Sequence, residues 1–254
     1  MDESEGGLWA DGEAAEIFRQ ETMEFVRCCL GLSCDVGAVP KSRIVQNFEG
    51  IGEAMRRVFD KEQCARLVYH IGNYISGCRT EEAFRAKGEM PTLEEYWAYR
   101  LHSSAVFVTL AANEFAFPGM RLPTSIMESE QMEELWTRAN VVVSTVNDLL
   151  SLRKEVRGGN AGSMVPIVFV QTGNVQRAVD FTERWIGENV AAFEEAAREL
   201  EGWSAVWGVK EASAVREFVG GVRAYVSGNL SWSLTGRRYG LQGKDLGRSV
   251  MVTL

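Results

Sequence analysis

The sequence predicts an all-α fold, and three observations predict it. Apolar residues recur at helical spacing along most of the chain, strand-like alternation is weak, and the interruptions coincide with Pro and Gly residues. No internal repeat, heptad array or low-complexity linker divides the sequence. We therefore expect one helical domain spanning residues 1–254.

The predicted helices follow one another with short connections. Their ranges are 13–31, 43–60, 62–77, 91–113, 129–157, 163–172, 174–201 and 209–232. The breaks lie at Pro40, at residues 88–91, at residues 117–123 and at the glycine pair 158–159. The apolar run at residues 164–170 is ambiguous between strand and helix, and its neighbourhood favours a buried helix.

Composition and charge exclude several classes of protein. The net charge of -8 argues against a general nucleic-acid binder and against binding to an anionic membrane. No apolar stretch approaches the roughly 20 residues that span a bilayer, so we expect no membrane insertion. Because the N-terminus lacks the basic and apolar regions of a secretory signal, the expected location is cytoplasmic.

An oxygen-bearing stripe lies on the predicted helix 129–157. Asn147, Ser151 and Glu155 stand four residues apart, so their side chains share one helical face and their oxygens can converge. Mg²⁺ accepts hard oxygen ligands and usually keeps waters or substrate phosphates in its remaining positions. The stripe predicts a Mg²⁺ site for a phosphorylated ligand, while a solvated helix face is the alternative interpretation.

Two further segments accompany this stripe. The upstream segment reads Tyr96-Trp-Ala-Tyr99-Arg100-Leu-His-Ser-Ser104, and the C-terminal one reads Asn229-Leu-Ser-Trp232-Ser-Leu-Thr-Gly-Arg237-Arg238-Tyr239. Taken in this order, the three segments resemble the class I terpene synthases, in the style of fungal sesquiterpene synthases. The resemblance extends from about Gly12 to Gly240 and implies the helical bundle of that family.

The resemblance assigns the metal and sensor residues. Asn147, Ser151 and Glu155 look like the family's second metal-binding motif. Arg100, forty-seven residues before Asn147, resembles the diphosphate-sensing arginine, and Ser104 resembles the effector position at a helix break. The family binds a cluster of Mg²⁺ ions, and this motif supplies the protein ligands of one ion.

The resemblance also assigns residues to the diphosphate. Arg238 and Tyr239 are similar to the Arg-Tyr pair that grips the leaving group, although a shift of one residue would exchange Arg238 for Arg237. Lys154 occupies the place of a lysine that often precedes the glutamate, and Arg100 is the third expected cation. Arg100 and Lys154 also fit the alternative of plain surface residues.

The implied reaction is the Mg²⁺-dependent ionisation and cyclisation of a prenyl diphosphate, with farnesyl diphosphate expected, to a sesquiterpene with release of diphosphate. Preplaced cations stabilise the negative charge that grows on the leaving group, and aromatic faces stabilise the carbocation. Trp232 is the leading aromatic candidate and Phe107 and Trp97 are weaker ones. For each aromatic residue, simple core filling is the alternative.

The sequence departs from the family at its first metal motif. No intact aspartate-rich motif lies upstream of Arg100, and the nearest candidate is Asp2-Glu3. These residues are either the tail of such a motif in a chain without the preceding helices, or an acidic terminus with no ligand role. On the first alternative, we expect a helical bundle that is truncated at its N-terminus. On either alternative, turnover depends on a first metal motif that is substituted or unseen.

Other functions stay open at this point. The five cysteines have no paired spacing and the chain has only two histidines, so zinc binding and a cysteine relay are disfavoured and buried structural thiols are expected. The rival functions are a non-catalytic relative or fragment that binds diphosphate or a protein partner, and a helical scaffold that carries these motifs by chance. The oligomeric state is open, with a homodimer as one alternative.

Overall fold

The computed structural model describes residues 13–33, 40–159 and 162–241. Every regular element within these ranges is a helix. The chain divides into two compact units, the first formed by its residues up to Glu89 together with Tyr99–Thr124, and the second by Met90–Ala98 and the residues from Ser125 onward. A single catalytic domain over residues 1–254 stays a prediction. None of the helices in the described ranges has the length and apolar character needed to cross a membrane.

The α-helices are, in chain order, α1 (Glu13–Cys29), α2 (Arg43–Gln46), α3 (Phe48–Arg56), α4 (Lys61–Lys87), α5 (Leu93–Ser103), α6 (Val106–Ala111), α7 (Thr124–Met127), α8 (Glu130–Arg157), α9 (Met164–Thr172), α10 (Val175–Ser204) and α11 (Val209–Thr235). Short 3-10 turns lie at Asn113–Ala116, Ala205–Trp207 and Arg237–Tyr239. Helix α5 begins in the second unit and ends in the first.

The first unit is organised around α4. Asp60 begins this helix with a capping box to Gln63, and the left-handed Gly88 ends it. Helix α4 packs against α1 and α6, while α1 also packs against α3. Gly77 permits the close approach of α4 to the end of α5, because a Cβ at this position would lie 2.7 Å from both His102 Cβ and the Ser103 nitrogen.

The second unit is organised around α8. Ser129 caps its N-terminus by accepting a hydrogen bond from the Met132 amide at 3.2 Å. Helix α8 packs against α9, α10 and α11, and α11 also packs against α10. Arg223 of α11 joins those last two helices, since it binds Glu194 at 2.9 Å and Glu201 at 2.9 Å. Helix α8, which carries the candidate metal ligands, thus packs against three other helices of this unit.

The predicted helices differ from the structure in three places. The predicted helix 62–77 continues to Lys87, because Gly77 serves helix packing and does not end the helix. The predicted helix 43–60 is split into α2 and α3, and the predicted helix 91–113 is interrupted between α5 and α6. The ambiguous run at 164–170 is helical, as predicted.

The cysteines of the described chain are free thiols. Cys29, Cys64 and Cys78 are buried, Cys28 is half-buried, and Cys34 lies outside the described residues. Burial raises the pKa of the Cys29, Cys64 and Cys78 thiols, so these groups stay protonated at neutral pH. They act as small apolar side chains in the core.

Candidate metal centre

Asn147, Ser151 and Glu155 lie on one face of α8, as their spacing predicts. The Ser151 hydroxyl donates a hydrogen bond to Glu155 Oε1 at 2.6 Å, so two of the three oxygen-bearing groups already touch. Ser151 is only 4% exposed, and Asn147 and Glu155 are half-buried. The stripe is therefore not a fully solvated helix face.

Tyr239 ties the C-terminal segment to this face. After α11, the turn Arg237–Tyr239 is closed by the left-handed Gly240, and the Tyr239 ring is buried. Asn147 Nδ2 donates a hydrogen bond to the Tyr239 hydroxyl at 2.7 Å. Because the nitrogen of the carboxamide is engaged by Tyr239, a metal ion at this position would take the oxygen of the same group.

Asp148, next to Asn147, is a positioning residue that sequence reasoning missed. Its side chain is almost fully buried, and its Oδ2 accepts hydrogen bonds from the Tyr96 hydroxyl and from the Met164 amide, the latter at 3.0 Å. One carboxylate thus joins α8 to α5 and to the first residue of α9. Asp148 lies between Asn147 and Ser151 and Tyr96 begins the upstream segment, but nothing in the sequence pairs residues so far apart.

Three further predicted residues, Arg238, Lys154 and Trp232, are on the surface of the second unit. Arg238 and Lys154 are exposed, and the Arg238 guanidinium lies 5.8 Å from the centre of the Tyr239 ring. Trp232 packs edge-on against Tyr239 at 6.5 Å between ring centres, and 55% of its surface is exposed. The structure therefore brings Arg238 and Trp232 to Tyr239, whereas Lys154 makes no comparable contact among the described residues.

Arg100 and Ser104 belong to the first unit. Arg100 is half-buried near the end of α5, and its carbonyl oxygen accepts the Ser104 amide at 3.1 Å. Ser104 Oγ accepts the Val106 amide at 3.2 Å and so satisfies the first amide of α6, whose N-cap residue is Ala105. Between them, Ala105 has a left-handed backbone with φ of 61°.

The donor set of the second unit fits a hard divalent cation. Within the described ranges, no three His, Cys, Asp or Glu side chains converge to hold a metal ion. The candidate set depends instead on one carboxylate, one hydroxyl and one carboxamide, all oxygen donors of the kind that Mg²⁺ accepts while it retains waters. This incomplete set suits an ion shared with an anionic ligand. Asp2 lies outside the described residues.

Comparisons with known proteins agree with this geometry. Residues 10–192 match the model of terpene synthase family 2, C-terminal metal binding. The sesquiterpene cyclase hepA of Aspergillus oryzae is 33% identical over 249 residues, which cover 95% of this chain and 67% of hepA. Sesquiterpene synthase 3 of Postia placenta is 28% identical over 193 residues, covering 74% of this chain and 51% of that protein.

A solved structure shows the same fold. The linalool/nerolidol synthase of Streptomyces clavuligerus, in complex with 2-fluorogeranyl diphosphate, matches 89% of this chain and 74% of its own with a TM-score of 0.76 and 20% identity. The chain spans about two thirds of hepA and about half of the Postia placenta relative. From the family model and the identity to hepA together, the chain belongs to the terpene synthase family and has its class I all-α fold.

Proposed function

We propose that this chain ionises and cyclises farnesyl diphosphate to a sesquiterpene in a Mg²⁺-dependent reaction that releases diphosphate. The observation that carries the proposal is the partly buried oxygen face of α8, where Ser151 contacts Glu155 and Tyr239 binds Asn147. Names of the relatives support the substrate class, since hepA is a sesquiterpene cyclase. Farnesyl diphosphate is the acyclic precursor with the carbon number of a sesquiterpene.

The side chains of α8 would bind the metal ion, and those of the C-terminal turn would bind the diphosphate. Asn147, Ser151 and Glu155 would hold Mg²⁺, which supplies positive charge to the diphosphate oxygens. Arg238 adds a guanidinium beside Tyr239, and its planar donors suit a diphosphate. As the allylic C–O bond breaks, its electron pair leaves with the diphosphate, so groups that are already in place stabilise the transition state more than the bound substrate.

The remaining predicted residues complete the proposal. Arg100 would sense the diphosphate, Ser104 would act at the helix break, and Lys154 would contribute a further cation. Trp232 would offer its ring face to the carbocation, which then loses a proton to give the hydrocarbon. Its contact with the ring of Tyr239, whose hydroxyl binds Asn147, supports this role.

The test is incubation of the full chain with farnesyl diphosphate and Mg²⁺, followed by gas chromatography and mass spectrometry of the volatile products. We expect a sesquiterpene from the wild-type chain and a loss of at least about 100-fold in the Asn147→Ala/Glu155→Ala variant, because the metal ligands act together. The matched control, Gln171→Ala/Glu183→Ala, changes exposed residues outside the site and should keep the wild-type yield. If the Asn147→Ala/Glu155→Ala variant gave the same sesquiterpene yield as this control, the oxygen face of α8 would have no role in the reaction.

A second candidate function is diphosphate binding without turnover. It is favoured by the donor set, which has one carboxylate and thus holds one ion, whereas the family uses a cluster. For this function, inorganic diphosphate with Mg²⁺ would raise the melting temperature while farnesyl diphosphate gives no volatile product. Cytoplasmic location stays a prediction, and the oligomeric state stays open.

A further inference from the structure

Helix α11 carries a buried oxygen that the contacts described above do not explain. The carboxamide oxygen of Asn229 is buried and has no hydrogen-bond partner within the described ranges. A buried acceptor without a donor is unfavourable, so such a group usually has a partner that the protein itself does not supply. Asn229 stands one helical turn before Trp232 and on the helix that leads to Tyr239.

The register of α11 against α8 shows which way Asn229 faces. The rings of Phe218 on α11 and Trp136 on α8 stack at 6.4 Å with an interplanar angle of 16°, so these positions mark the contact between the helices. Asn229 follows Phe218 by eleven residues and Asn147 follows Trp136 by eleven residues. Eleven residues make about three helical turns and rise about 16 Å along the helix axis. Each asparagine therefore lies on the same side of its helix as the aromatic residue eleven positions before it.

The turn after α11 shows in which direction α11 runs relative to α8. Further along α11, the turn at Tyr239 reaches Asn147 through the 2.7 Å hydrogen bond. The two helices therefore advance in the same sense from the Trp136 contact toward the metal-binding face. From this register we infer that Asn229 lies on the side of α11 that faces α8, close to the level of Asn147.

The chemistry of these groups suits a cation. Asn147, Ser151 and Glu155 present oxygens, and the Ser151 hydroxyl already donates its hydrogen to Glu155. A hydrated divalent cation satisfies all of them, because hard oxygen donors bind the ion and its bound waters donate hydrogen bonds. We propose that Asn229 binds the hydrated Mg²⁺ held by α8, so that α11 supplies a fourth oxygen. The proposal rests on the proposed function of the same site.

Two substitutions separate this role from a structural one. Asn229→Leu removes the oxygen at similar volume, whereas Asn229→Asp keeps an oxygen and adds a negative charge. The control is Ser231→Leu, since Ser231 is exposed and lies on the opposite side of α11. Each full-length variant is titrated with Mg²⁺ in the presence of inorganic diphosphate by calorimetry, and its melting temperature is measured with and without the ion.

We expect Asn229→Leu to weaken Mg²⁺ binding by about 10- to 100-fold, the usual effect of removing a group that supports a metal site. The same variant should melt without metal at the wild-type temperature or above it, because an unpartnered buried acceptor has been removed. Asn229→Asp should bind Mg²⁺ at least as tightly as the wild type, and Ser231→Leu should bind equally.

Two results would overturn the inference while leaving the proposed function standing. The first is wild-type Mg²⁺ affinity in Asn229→Leu. The second is a lower melting temperature of Asn229→Leu in the absence of metal. That result would mean that the oxygen stabilises the fold through a partner within the protein. A wild-type chain that does not respond to Mg²⁺ and diphosphate would instead contradict the proposed function itself.

Discussion

Tyr239 is held against the candidate metal centre by one hydrogen bond from Asn147. The ring is buried, so the hydroxyl has little access to water as a substitute partner. This bond orients the carboxamide of Asn147 and fixes the end of the segment that carries Arg238. At the scale of single residues, the site thus depends on a contact between two parts of the chain that are distant in sequence.

We predict that Tyr239→Phe lowers the free energy of unfolding by about 0.5–1.5 kcal/mol, because the amide of Asn147 loses its acceptor. The same variant should weaken Mg²⁺-dependent binding of inorganic diphosphate. Urea unfolding followed by tryptophan fluorescence measures the first effect, and calorimetry measures the second. Tyr69→Phe is the control, since Tyr69 is 64% exposed and its loss of a hydroxyl should leave both quantities unchanged. Identical behaviour of the two variants would contradict the prediction.

At the scale of elements, the break between α5 and α6 is the most constrained feature. Helix α5 ends at Ser103, Ser104 Oγ accepts the first amide of α6, and Ala105 adopts a left-handed backbone that is unfavourable for a residue with a Cβ. Helical periodicity runs through this region without interruption, which is why the pattern at 91–113 predicted one helix. The break requires the tertiary contacts of both helices to outweigh the local preference.

We predict that Ala105→Gly raises the free energy of unfolding by up to about 1 kcal/mol, because glycine adopts a positive φ without steric conflict. Ala98→Gly, at an exposed position inside α5, should lower the same quantity by about 0.5–1 kcal/mol. Chemical denaturation of the two variants measures whether the free energy of unfolding rises in the first and falls in the second. A loss of stability in Ala105→Gly as large as that in Ala98→Gly would show that no strain is stored at the break.

At the scale of the whole molecule, pH acts through the only two histidines of the chain. Both flank Phe107, with ring centres at 5.8 Å for His70 and 6.1 Å for His102. Burial lowers the pKa of His70 from 6.5 to about 4, with a further contribution from Arg66, and burial also lowers the pKa of His102. Well above pH 6.5 both imidazoles are neutral in the folded and the unfolded chain, so they do not change stability there.

We predict that stability falls as the pH falls from about 6.5 toward 4, because the unfolded chain takes up protons that the folded chain excludes. The slope for His70 is at most about 1.4 kcal/mol per pH unit. Urea unfolding between about pH 5.5 and 7.5, above most carboxylate titration, measures it. His70→Leu/His102→Leu should flatten this profile, and a double variant that keeps the wild-type slope would contradict the assignment.

The sequence by itself determined the helical class, most helix ends, the shared face of Asn147, Ser151 and Glu155, and the family. These features are local, since periodicity, capping residues and fixed spacing act within a few turns. Tertiary structure alone decided that Tyr239 binds Asn147, that Asp148 joins Tyr96 to Met164, that Gly77 serves packing and that Trp232 is largely exposed. Those outcomes depend on which helices pack and in what register, because a contact between distant residues is set by the whole path of the chain and leaves no local pattern.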